Sequence, residues 1–149
     1  MKKLQIGVTV ISSVLVAAPV CAQRHLRADS ALVGCYAITW SNGTTPKPYF
    51  PDTVRLTLRA ARWNGFYAVH VDTVWMQRAP MFQFLWKRLG ADSVAIAETN
   101  GFTGVELKLS VTPNGFEGVA TAFSDALDPQ HPFLTWHATA IRLACKRSA

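Results

Sequence analysis

The chain has 149 residues, half of them hydrophobic, with 15 basic and 9 acidic side chains and a formal charge of +6. The bases are scattered, with no run of five or more, which argues against a nucleic-acid partner. Cys35 and Cys145, without nearby histidines, make a poor zinc set, and the length is that of one domain with a core of its own.

The chain opens MKKLQIGVTVISSVLVAAPVCAQ. Lys2 and Lys3 form a basic start, residues 4–18 a short apolar run, and VCA puts small residues before a cut between Ala22 and Gln23. This predicts a secretory signal peptide over 1–22. A membrane anchor would need about 20 apolar residues, and lipoprotein processing at Cys21 would need a different preceding pattern. The expected product is an exported protein, periplasmic or secreted, and the MKK start suggests a bacterium. Without Lys2 and Lys3 the charge falls from +6 to +4 over 127 residues. Residues 23–31 read as a flexible tail, 32–146 as the domain and 147–149 as a second tail. The mature chain has no transmembrane segment.

From there alternation dominates. LVGCYAITW (32–40) reads as a first strand, and SNGTTPKPYFP (41–51), with three prolines, as a long connection. DTVRLTLRA (52–60) sets Val54, Leu56 and Leu58 against Thr53, Arg55, Thr57 and Arg59, the period of a half-buried strand. RWNGF (62–66) leads into a strand over FYAVHVDTV (66–74). MFQFLW (81–86) is a weaker strand; a helix within 75–90 is the less favoured alternative. DSVAIAET (92–99) and FTGVELKLSVT (102–112) follow, the latter setting Val105, Leu107, Leu109 and Val111 against Glu106, Lys108 and Ser110. GFEGVATAFSD (115–125) and PFLTWHATAIRLAC (132–145) complete about eight strands. Asn-Gly pairs at 64–65, 100–101 and 114–115 signal hairpin turns. Short strands joined by tight turns predict an all-β fold, a single antiparallel up-and-down barrel closed by pairing of the first and last strands.

Closure explains the cysteines. Cys21 leaves with the signal peptide. Cys35 lies on the first strand and Cys145 at the end of the last, an even pair in an oxidising compartment, so a disulfide across the seam is expected. Two separate buried thiols are the alternative. Strand parity then puts Tyr36 and Arg142 together on the opposite face.

Gly34-Cys35-Tyr36 resembles the Gly-x-Trp opening of lipocalins, and Arg142 resembles the arginine that packs on that tryptophan at the closed end of their barrel. The size, the export signal and the long first connection fit. Tyr36 replaces the tryptophan, and the family's other motifs have no counterpart here. The resemblance implies a lipocalin-like or calycin-like barrel and lends no activity.

No residue pattern identifies a reaction. There is no Gly-x-Ser-x-Gly and no facing pair of carboxylates. His25, His70, His131 and His137 are spread along the chain, although His70 and Asp72 share a strand face at i, i+2. No cofactor or metal is expected. Five tryptophans are many for this size. Tyr36, Trp40, Trp86, Trp136 and Arg142 are the candidate ligand-binding residues, for a small apolar or amphipathic molecule inside the barrel. The alternative is a solid core and a structural or interaction module. An enzyme of unknown type is the third reading. Arg55, Arg59 and Arg62 read as a solvated strand face in preference to a contact with anionic polymer or lipid headgroups, and the charges of Arg55, Arg59, Glu106 and Lys108 exclude an outer-membrane barrel.

Overall fold

The computed structural model describes residues 28–41, 50–125 and 134–145. Eight strands, β1 Gly34–Ser41, β2 Thr53–Ala60, β3 Tyr67–His70, β4 Gln83–Arg88, β5 Ser93–Thr99, β6 Thr103–Thr112, β7 Gly115–Ser124 and β8 Thr135–Leu143, form a closed barrel in chain order. Every neighbouring pair is antiparallel, and β1 pairs with β8 from Cys35↔Leu143 to Ser41↔His137. Closure leaves no open sheet edge.

The period of two selects the interior. Tyr36 and Ile38, Val54 and Leu56, Val94 and Ile96, and Leu107 and Leu109 point inward from β1, β2, β5 and β6 and are almost wholly buried. Opposite, β7 and β8 contribute Phe116, Ala120, Ala138 and Ala140 to the same core. Large and small side chains thus alternate around a barrel whose bore is about wide enough for side chains alone.

Residues 75–90, favoured as strand, divide into two elements. Thr73–Arg78 form a short helix, α1, and Gln83–Arg88 form β4. Asp72 explains the helix. Its carboxylate accepts from the Val74 N–H at 2.8 Å, a side-chain N-cap. The strand expected through residue 74 therefore ends at His70, and Asp72 caps a helix instead of sharing a strand face with His70. Trp75 packs from α1 against the core.

Two residues expected inside are exposed. Leu58 lies within a register irregularity between Leu56 and Ala60, and Val111 stands at the end of β6. Thr57 holds the irregularity. Its hydroxyl donates to the Ala68 carbonyl at 2.7 Å and accepts from the Arg59 N–H at 3.3 Å. Such bulges redirect the side chains that follow them.

The Asn-Gly turns also differ from a uniform two-residue pattern. Asn100 opens a three-residue connection, its side chain accepting from the N–H groups of Phe102 and Thr103, with Gly101 at φ 99°. The loop between β6 and β7 is Pro113–Asn114, with Gly115 already paired to Thr112. Most of the connection expected over 41–51, residues 42–49, lies outside the described residues, as do residues 1–27. No helix among the described residues is long and apolar enough to cross a membrane.

Candidate ligand site inside the barrel

The two ends of the barrel differ. At one end β1 begins and β8 finishes, and Cys35 and Cys145 are joined there by a disulfide with Cα atoms 5.2 Å apart. The segment leading into β1 lies across this end. Tyr36 Oη donates to the Leu32 carbonyl at 2.8 Å, and Arg142 donates to the carbonyls of Ala31 and Val33 at 3.1 and 2.8 Å. The Arg142 guanidinium carbon stands 5.9 Å from the centre of the Tyr36 ring.

Gly34 leaves room for this arginine, because a Cβ there would lie 3.3 Å from Arg142 Nε. On the far side Asp29 accepts from Tyr67 Oη at 3.1 Å and faces Arg88 at 3.9 Å. Burial raises the pKa of Tyr36 against the opposing influence of Arg142; burial and the Asp29 contact raise that of Tyr67. This end is closed by polar contacts to backbone.

Just inside it the bore is filled. Trp86 is wholly buried, its ring 5.1 Å from Tyr67 and its indole N–H donating to the Thr57 carbonyl at 2.7 Å. Tyr36 lies 4.7 Å from Phe116. Of the candidate ligand residues, Tyr36, Trp86 and Arg142 are therefore engaged with the protein itself.

Trp40 and Trp136 are placed differently. Trp40 pairs with Ala138 on β8, and Trp136 lies two residues further along that strand, towards the opposite rim. The two indoles are thus diagonal neighbours across the β1–β8 seam. Both Nε1 atoms are buried, and neither has a hydrogen-bond partner among the described residues. Trp40 meets Phe50 edge-on at 5.7 Å, and Phe50 meets Phe84 edge-on at 6.2 Å. Phe84 is the cross-strand partner of Glu98 on β5.

Glu98 is the residue that sequence reasoning missed. It points inward in the series Val94, Ile96, Glu98, is 3% exposed and makes no hydrogen bond or ion pair among the described residues. Burial pushes its pKa up to about 7, because a carboxylate loses hydration there that nothing replaces. The period-two pattern of DSVAIAET already gave this inward direction.

The half of the barrel away from the disulfide therefore holds two unmatched N–H donors and one titrating carboxyl. Trp40, Phe50 and Phe84 form an aromatic wall, with small Ala138 beside Trp40 and Ala120 beside Trp136. The histidines lie elsewhere. His137 contacts Ser41 at 3.3 Å and Glu117 at 3.2 Å on the outer face, and His25 and His131 lie outside the described residues.

No protein-family model matches the chain, and neither a curated protein nor a solved structure matches it.

Proposed function

We propose that this chain is an exported binder of a small amphipathic molecule, held in the half of the barrel remote from the disulfide. The observation that carries the reading is the pair of buried indole N–H groups of Trp40 and Trp136, which have no partner among the described residues. A buried donor left unmatched costs about 1–3 kcal/mol. A ligand carbonyl, ether or hydroxyl oxygen between the indoles would remove that cost, and the aromatic wall would take its apolar body. Glu98, neutral or charged near neutral pH, would meet a polar group at the other end of the ligand. The eight-strand barrel is compatible with a lipocalin-like architecture, and the disulfide with an oxidising compartment. Export itself predicts a mature chain beginning at Gln23, which N-terminal sequencing of the secreted protein reads directly.

The test is titration with a neutral apolar dye, followed by tryptophan fluorescence, together with native mass spectrometry of protein from its own host. Saturable quenching that weakens in Trp136→Phe supports the reading. Absence of saturation, with no retained molecule, favours a solid-core interaction module, a reading for which the filled bore around Trp86, Tyr36 and Phe116 speaks.

A further inference from the structure

The outside of the barrel carries a second feature, which shares only Phe84 with the interior site. An open groove of about 670 Å³ runs between the outer face of β2–β3 and the overhanging α1 with the loop that follows it. Its floor and one wall present Arg55, Arg59, Arg62 and His70; the other wall presents Met76 and Phe82.

The cationic wall is uncompensated. Arg55 is the direct cross-strand partner of His70, and no carboxylate lines the groove among the described residues. The side chains of Arg55, Arg59 and Arg62 make no hydrogen bond or ion pair among those residues. The Thr57 bulge in β2 accompanies the two strand arginines that line this groove. Guanidinium groups are the side chains best shaped to grip phosphate or carboxylate oxygens.

The opposite wall is apolar, and Met76 is half exposed. A groove of this volume is small-molecule sized rather than a seat for a folded partner. A ligand that satisfies both walls has an anionic head and a hydrocarbon body. We infer that the groove beneath α1 binds a single-chain anionic amphiphile, its phosphate or carboxylate head on Arg55, Arg59 and His70 and its chain along Met76 and Phe82.

Calorimetric titration of the intact, disulfide-bonded protein at pH 7 tests this with three probes: dodecyl phosphate below its micelle threshold, inorganic phosphate and the neutral detergent dodecyl maltoside. Dodecyl phosphate should bind with one site's stoichiometry and the other two at least tenfold more weakly. The double variant R55Q/R59Q should weaken dodecyl phosphate roughly tenfold or more, the loss expected on removing charge-assisted hydrogen bonds. Met76→Glu, at a position already open to solvent, should weaken it similarly by setting a charged carboxylate against the hydrocarbon chain; it keeps the test valid should the double variant not fold. Trp136→Phe should leave this titration unchanged. Equal affinity for inorganic phosphate would reduce the groove to a site for simple anions and overturn the inference, as would equal affinity for dodecyl maltoside. Binding insensitive to the groove variants but lost in Trp136→Phe would move the ligand into the barrel and also overturn it.

Discussion

Tyr36 and Arg142 are direct cross-strand partners on the β1–β8 seam, the guanidinium above the phenol ring and donating to two carbonyls of the segment that leads into β1. One side chain thus ties the last strand, the first strand and the preceding segment together. The ring contact is worth about 0.5–2 kcal/mol, and the arginine methylenes cover apolar surface.

Arg142→Ala should therefore lower unfolding free energy by roughly 1–2 kcal/mol, a large effect for one exposed residue. Denaturant titration reads it. Ligand affinity at the far end of the barrel should not move; lost binding with unchanged stability would instead make Arg142 a ligand contact.

The Cys35–Cys145 bridge closes a separation of 110 residues. Loop entropy predicts about 4–5 kcal/mol of stabilisation for a ring that long, with native-state strain subtracting from it. Reduction should lower the melting temperature sharply, and in the folded, unreduced protein neither Cys35 nor Cys145 should react with an alkylating reagent. Two alkylated cysteines under those conditions would contradict the bridge.

Much of this arrangement is legible in the sequence because strands have a strict period. Val54 with Leu56, and Leu107 with Leu109, face the core as their spacing predicts, and parity alone joins Tyr36 to Arg142. Leu58 escapes that logic because the Thr57 bulge breaks the register, and a bulge is fixed by cross-strand contacts. The helix α1 escapes it because Val74-Trp75-Met76 is as apolar as a strand; the sign to read was Asp72, placed to cap. Glu98 is legible in direction but not in environment. Nothing local says that no cation stands opposite it.

Glu98 makes stability depend on pH. Its folded pKa, about 7, lies above its ordinary 4.5, so the folded state holds the proton more tightly than the unfolded chain. The sign follows: stability is highest below about pH 4.5 as far as this group is concerned, and falls as pH rises through 7. The shift corresponds to a loss of roughly 3 kcal/mol at most. Glu98→Gln should flatten the melting-temperature profile between pH 5 and 8. A wild-type profile that rises across this window, and a variant that tracks it, would show that the carboxyl is not buried in solution.

Trp136→Phe removes one unmatched donor while keeping most of the ring. The unliganded protein should lose less than about 1 kcal/mol, since the deleted N–H has no partner among the described residues to leave behind. Affinity for an interior ligand should fall several-fold. Trp86→Phe should behave in the opposite way, costing stability because its N–H is bonded to the Thr57 carbonyl. Paired thermal melts and dye titrations separate the two roles.

The 5.2 Å between the Cα atoms of Cys35 and Cys145 also bears on how freely the chain can be recut. The barrel's entry and exit points nearly touch, so a short peptide linker could join them and make β8 and β1 consecutive. New ends could then be opened in the Pro113–Asn114 turn without severing any strand. Such a circular permutant would carry the seam in its main chain and could fold in a reducing cytosol, where the natural order must do without its sulfur link.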